Sequence, residues 1–171
     1  FVFGEMEGPG CIWRIWSAQT WTGRVSIVID GQETPAVDLP FMDYFKVKTS
    51  PFSYPMLTYE LETMGSSGCN LYVPIPYQKS CRIVAEPRWG NYYQVVYTTY
   101  PKGTKVPSFS TQLMADHAAE LGAADAFLRE KLGSDPAGAR EGEDHHHEVM
   151  TLAPGEGKLI PLKGPRAITA I

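Results

Sequence analysis

The sequence lacks the features that identify several large classes of protein. Its apolar runs fall well short of the roughly 20 residues that span a bilayer. Its formal net charge of -4 gives no reason to expect a nucleic-acid partner. The catalytic signatures G-x-S-x-G, H-E-x-x-H, the Walker loop and G-x-G-x-x-G are all absent. We therefore expect no membrane span, and motifs alone assign no enzyme class.

Cysteine is scarce too, with three residues that match no zinc-binding spacing: Cys11, Cys69 and Cys81. We expect three buried thiols, while a Cys69–Cys81 bridge stays open if these two residues flank a hairpin. The run His145 to His147 follows several acidic residues and is interpreted as a solvated polar loop. The sequence therefore predicts no metal and no cofactor, and it leaves the compartment open between cytoplasmic and extracellular.

Turn-forming and aromatic residues are abundant, with 16 Gly, 14 Pro and 12% aromatic residues. Short β-rich segments recur between the turns, and the clearest is YYQVVYTTY at 92–100. Val25 to Ile29 ends in Asp30-Gly31, a strong turn signal, and 41–45 is typical of a short helical turn. This pattern predicts a mainly β fold, an antiparallel jelly-roll β-sandwich of eight strands over residues 1–109.

The pattern changes after the sandwich. Ser110 can cap a helix, and apolar residues at helical spacing predict one amphipathic connecting helix over 110–133. Residues 134–148 are small and charged, which predicts a flexible linker. The segment EGPGCI at 7–12 resembles KGPRAI at 163–168, which indicates a duplicated unit. We therefore expect 149–171 to begin a second jelly roll, with this chain holding the first half of a double jelly roll.

Several blocks taken together resemble glycoside hydrolase family 172: GPGCIWRIW at 8–16, DGQETP at 30–35, NLYVPIPYQKSC at 70–81, YY at 92–93, YTTY at 97–100, LAPGE at 152–156 and GP at 164–165. Relatives often carry basic or amide side chains where this chain has 64–67 and 94–96, and an arginine near Thr98. The family includes difructose-anhydride synthase/hydrolases and D-arabinan-degrading enzymes. The resemblance implies two jelly rolls per subunit with a helical connection, and a homotrimer or larger assembly.

The resemblance also implies retaining hydrolysis of furanosides by a pair of glutamates in the second jelly roll, beyond Ile171. No catalytic residue is therefore assigned in this chain. The candidate substrate-binding residues are Trp13, Arg14, Trp16, Asp43 and Tyr44. Arginine can hold sugar hydroxyls or a partner carboxylate, and flat aromatic rings can cover a sugar.

Each candidate has a structural alternative. The indoles can pack in the core or at a subunit contact, and because Trp13 and Trp16 do not share strand parity, at most one of them faces a given core. Asp43 can form a structural hydrogen bond. The resulting functional hypothesis is a glycoside hydrolase-like protein acting on fructofuranoside or arabinofuranoside linkages. The alternative is a non-catalytic structural or carbohydrate-binding protein that forms oligomers or filaments.

Overall fold

The structure, a computed structural model, describes residues 1–61, 68–135, 138, 140–165 and 168. The chain forms two compact units, Phe1–Glu130 and Lys131–Ile171. The described residues of the second unit form turns and contain neither helix nor strand. The first unit contains all the regular elements of the described residues.

Nine strands of the first unit form two antiparallel sheets: β1 (Val2–Glu7), β2 (Gly10–Thr20), β3 (Arg24–Ile29), β4 (Val37–Pro40), β5 (Thr58–Glu60), β6 (Cys69–Leu71), β7 (Ile75–Tyr77), β8 (Ser80–Ala85) and β9 (Gly90–Thr99). The four-stranded sheet has the order β1-β8-β3-β4. In the five-stranded sheet, β6 and β7 pair with successive parts of β2, β5 pairs with β6, and β9 pairs with β2. The predicted antiparallel β-sandwich is confirmed.

The described residues hold nine strands where the sequence predicted eight. The segment CNLYVPIPY contributes two short strands, β6 and β7, because it leaves the ladder between Leu71 and Ile75. Pro74 lies in this interruption, where its missing N–H costs no ladder hydrogen bond.

The core lies between the inner faces of the two sheets. Alternate residues of β3 and of β8 are buried, as a strand with one solvent-facing side requires. The 3₁₀-helix Phe41–Phe45 adds three buried aromatic side chains and confirms the predicted helical turn. All three cysteines are free and buried, and burial raises the pKa of Cys11 and Cys69 to about 11 and of Cys81 to about 12. These thiols therefore pack as small hydrophobic groups.

Asp30 is the turn residue that the sequence indicated. Asp30 and Gly31 both have positive φ, 56° and 73°, as a type I′ turn requires. The Asp30 carboxylate accepts hydrogen bonds from the backbone N–H groups of Gln78, Lys79 and Ser80 and from the Ser108 hydroxyl. Burial alone would raise the pKa of Asp30, but these hydrogen bonds together lower it below its ordinary value. Asp30 thus fastens the turn between β7 and β8 to the end of β3.

The region after the sandwich is helical, but it is divided. Helix α1 spans Thr111–Asp116 and α2 spans Ala118–Glu130. The Ser110 hydroxyl accepts a hydrogen bond from the N–H of Leu113 at 3.0 Å, so the predicted cap is confirmed. The sequence predicted one continuous helix to 133, whereas the structure has a break at His117. This residue has φ −110° and ψ 21°, which is not helical, and its N–H contacts the carbonyls of both Leu113 and Ala115.

The face of α2 that packs on the sandwich is not purely apolar. Leu121 and Leu128 pack against the core, and Asp125 between them is 5% exposed. Its carboxylate accepts the Met56 N–H at 2.5 Å and pairs with Arg129 at 2.9 Å. Asp125 therefore fixes α2 to the loop that precedes β5. Among the described helices, none is long and apolar enough to cross a membrane.

Candidate functional site

A β-bulge in β2 sets the direction of two side chains. Ile12 pairs with Tyr97 and Arg14 pairs with Val96, so Trp13 is an extra residue in the ladder. Ile12 and Ile15 are 1% and 2% exposed, whereas Trp13 is 42% exposed. The bulge therefore turns both Trp13 and Arg14 away from the core. It also shifts the alternation, so that Trp13 and Trp16 lie on the same side of the sheet, although they do not share strand parity. Both lie away from the core, which agrees with the expectation that at most one of them faces it.

Arg14 is held on this outer face by two amide side chains. Its Nε and Nη2 donate to Asn70 Oδ1 at 3.1 and 2.9 Å, and its Nη1 donates to Gln94 Oε1 at 3.1 Å. Asn70 is only 5% exposed, so its Oδ1 depends on these hydrogen bonds. The three contacts use three of the five N–H bonds of the guanidinium. The plane of the group is thereby fixed, while two N–H bonds have no acceptor among the described residues.

A pair of stacked tyrosine rings lies beside the guanidinium. The Arg14 Cζ lies 5.7 Å from the centroid of the Tyr72 ring, a cation–π distance, and Tyr72 stacks on Tyr59 with 6.3 Å between ring centroids. Burial, followed by the neighbouring Tyr72, raises the pKa of Tyr59. Trp16 pairs in register with Asn70 and Gln94, which places all three on the same face. We call this set the Arg14 face: Trp13, Arg14, Trp16, Tyr59, Asn70, Tyr72 and Gln94.

The charge of Arg14 is not neutralised within the described residues. No carboxylate there lies within ion-pair distance of Arg14, and both of its hydrogen-bond acceptors are neutral. Trp13 also has a defined orientation, because its Nε1 donates to the Thr98 hydroxyl at 3.0 Å. The face thus combines a fixed cation, amide groups and aromatic rings, which suits a polyhydroxylated ligand or an incoming carboxylate.

The other two predicted site residues lie elsewhere, on the 3₁₀-helix. Tyr44 is 0% exposed and its hydroxyl donates to the carbonyl of Val25 at 2.6 Å. This placement leaves no ring face for a ligand. Asp43 is half-buried and forms an ion pair with Lys46 at 2.8 Å, the structural contact that was its alternative interpretation. The Arg14 face therefore contains three of the five predicted residues.

Four members of the face were missed as site residues: Tyr59, Asn70, Tyr72 and Gln94. Asn70 and Gln94 lie 56 and 80 residues from Arg14 along the chain, so no local spacing connects them. One signal was present, because Gln94 is the lone amide inside the apolar run YYQVVY. The segment 64–67, where the chain departs from its relatives, lies outside the described residues.

The described residues contain no cluster of side chains that could form a metal site. Within the described ranges no group of three or more His, Cys, Asp or Glu side chains could hold a metal ion. The run His145 to His147 is exposed, and His146 lies 3.4 Å from Glu148.

Comparison with known families gives one result that covers the whole sandwich. The model of the GH172 first beta-sandwich domain matches residues 1–117, the range that contains both sheets and the Arg14 face. No curated protein matches the chain. Because the matched range exceeds half of the 171 residues, the chain belongs to the GH172 family of glycoside hydrolases, as its first β-sandwich domain.

Proposed function

We propose that this protein is a glycoside hydrolase that acts on furanosides with fructofuranoside or arabinofuranoside linkages. We propose further that the Arg14 face lies at the site where the substrate reacts. Trp13, Arg14 and Trp16 form the substrate-binding part contributed by this chain. The family membership supports glycoside hydrolysis in general, and the residues of the face support the role of this surface.

The main observation in support of the proposal is that two amide side chains hold the guanidinium of Arg14. A cation placed on a sheet face without a carboxylate partner loses hydration and gains no ion pair from the described residues. Such an arrangement becomes favourable when a ligand hydroxyl or an incoming carboxylate accepts the remaining N–H bonds. A furanoside offers several hydroxyls, and a catalytic glutamate offers the carboxylate.

Four carboxylates of the described sandwich have structural partners. Glu5 pairs with Arg82, Asp38 with Arg24 and Asp43 with Lys46, and Asp30 binds backbone N–H groups. A retaining mechanism needs two facing carboxyl groups about 5 Å apart, one as nucleophile and one as acid/base. In line with the family resemblance, we propose that the two catalytic glutamates come from outside this chain, and that the Arg14 face positions either the sugar or one of those glutamates.

The direct test is hydrolysis by the intact natural protein. Aryl α- and β-arabinofuranosides, aryl fructofuranosides and difructose anhydrides form the substrate panel, with aryl glucopyranosides as the negative control. We expect turnover of at least one furanoside and none of the pyranosides. A folded protein that hydrolyses no member of the furanoside panel would contradict the proposal.

A second candidate function is favoured by strand β9. This ten-residue strand pairs with β2, and its side chains are largely exposed, with Tyr92 at 72%, Tyr97 at 49% and Val96 at 42%. A long strand with exposed apolar residues favours association with another chain. The alternative is therefore a non-catalytic structural or carbohydrate-binding protein whose β9 surface builds a trimer or larger assembly.

The two candidates differ in one pair of measurements. Light scattering of the intact protein gives the assembly size, and the substrate panel gives turnover. An oligomer that binds sugar without turnover favours the second candidate. Turnover that disappears when Arg14 is replaced, in an oligomer of unchanged size, favours the first.

A further inference from the structure

One end of the sandwich carries an open depression away from the contacts that define the Arg14 face. It has a volume of about 440 Å³ and is lined by Thr20, Trp21, Thr22, Met42 and Arg88. These residues come from the end of β2, the β2–β3 loop, the 3₁₀-helix and the β8–β9 loop. We call this surface the loop-end depression. Trp21 is 43% exposed, so one large aromatic surface faces the solvent there.

Backbone contacts hold the loops of this depression together. The N–H of Trp21 donates to the carbonyl of Trp89 at 2.8 Å, and its carbonyl accepts from the N–H of Met42 at 3.1 Å. The N–H of Gly23 donates to the carbonyl of Arg88 at 2.8 Å. A Cβ on Gly23 would stand 2.4 Å from backbone atoms of Pro87, Arg88 and Trp89, so the two loops meet as closely as glycine allows. The exposed side chains therefore rest on a fixed backbone.

The β8–β9 loop and the start of β9 each hold a bulky residue where glycine would cost less. Arg88 has φ 67° and Tyr92 has φ 57°, both in the left-handed region, and Tyr92 is 72% exposed. Each such residue raises the free energy of the fold, and such outliers concentrate at functional positions. Within the described residues Arg88 has no ion pair and no side-chain hydrogen bond, so no structural contact there accounts for an arginine at this position.

We infer that the loop-end depression binds a saccharide chain, with a sugar ring against the Trp21 indole and hydroxyls on Arg88, Thr20 and Thr22. The indole offers an apolar plane for the C–H side of a sugar, and the guanidinium and hydroxyls offer hydrogen bonds at the rim of that plane. The site is separate from the proposed reaction and needs no catalytic group. It adds a second carbohydrate-binding surface to the proposed function, and it rests on that function only for the identity of the sugar.

The test measures binding of polymers and hydrolysis of small substrates separately. Soluble inulin and soluble arabinan are the probes, and affinity electrophoresis and calorimetry of the intact protein give the dissociation constants. We expect Trp21→Ala to weaken binding of the preferred polymer about fivefold, because a stacking surface is lost. We expect Arg88→Gly to weaken it about tenfold through lost charged hydrogen bonds.

Arg88→Gly is also a control against unfolding. Glycine accepts φ 67° without strain, so this variant should keep or raise its melting temperature while binding falls. Matched controls are Phe127→Ala, a 46% exposed aromatic on α2, and Arg82→Gln, an exposed arginine of β8. Both controls should bind the polymer as the parent protein does.

The outcomes separate this inference from the proposed function. Weaker polymer binding in Trp21→Ala and Arg88→Gly, with unchanged hydrolysis of an aryl furanoside, supports the site. Polymer binding without any hydrolysis supports the site while the proposed function fails. Unchanged polymer binding in both variants overturns the inference, and so does a change of oligomer size in both, because the depression would then be a subunit contact.

Discussion

The two sheets bury similar apolar inner faces, but their outer faces are built differently. On the four-stranded sheet each cation of the face has a carboxylate as its ion-pair partner. Arg24 pairs with Asp38 at 3.0 Å and Arg82 with Glu5 at 2.6 Å. On the five-stranded sheet Arg14 has amide partners and aromatic neighbours instead. A face whose charges are paired needs no other molecule to neutralise them. A face that fixes a cation and leaves it unpaired within the described residues is suited to a further molecule.

The largest expected effect is on catalysis. Arg14→Met removes the fixed cation, and we expect kcat/KM on the best furanoside to fall about 100-fold, since hydrogen bonds from a charged group are worth about 1.5–3 kcal/mol. Arg14→Lys should recover little, because an ammonium cannot reproduce the planar fork that binds Asn70 and Gln94. Steady-state kinetics measure both variants. Equal kinetics for Arg14→Met and the parent protein would remove the Arg14 face from the mechanism.

The next largest effect is expected on stability, because Asp30 holds the turn that leads from one sheet to the other. Asp30→Asn weakens the charge-assisted bonds to Lys79 and Ser80 and should lower the free energy of unfolding by about 2 kcal/mol. Urea unfolding measures this loss. A matched control variant, Glu33→Gln in the exposed loop after β3, should lose less than about 0.5 kcal/mol.

The same residue gives a pH dependence with a defined sign. The pKa of Asp30 and of Asp38 is lowered in the folded protein, so their stabilisation is complete above the unfolded value of about 3.9 and is lost as pH falls through the folded values. The urea midpoint should therefore fall in acid, and it should fall less in Asp30→Asn. The same acid slope in both proteins would show that Asp30 contributes nothing to it.

The smallest effect is expected on the face whose charges are paired. Arg82 and Glu5 have side chains that are 55% and 64% exposed, so their attraction is screened by water. Arg82→Met should change the free energy of unfolding by no more than about 0.5 kcal/mol and leave kcat/KM unchanged. A loss of activity in this variant would show that the four-stranded sheet also contributes to the site, and the contrast between the faces would then fail.

Local sequence signals predicted the elements that depend on local chemistry. The Asp30-Gly31 turn, the 3₁₀-helix at Phe41–Phe45, the cap at Ser110 and the strand at 92–100 all appear in the structure. The strand with the strongest β-propensity, however, became an exposed strand, because propensity reports the fit to a pleated surface and does not say which partners cover it.

The parts that were missed depend on long-range pairing. The bulge at Trp13 arises from the register of β2 against β9, and nothing within β2 itself specifies an extra residue. Without the bulge, strand alternation separates Trp13 from Trp16, so their common side could not be predicted from the sequence of β2. Asp125 shows the same limit, since a carboxylate on a buried helix face makes sense only once the N–H of Met56 is known to lie beside it.

The variant Asn70→Asp tests the central claim most directly, because it converts the neutral partner of Arg14 into a carboxylate and gives this face the chemistry of the other sheet. A carboxylate holds the guanidinium at least as tightly as the amide does, so we expect unfolding stability to be kept or raised. We expect kcat/KM on the best furanoside to fall about tenfold or more, because the charge of Arg14 is then neutralised within the sheet. Full activity in a stable Asn70→Asp protein would contradict the account.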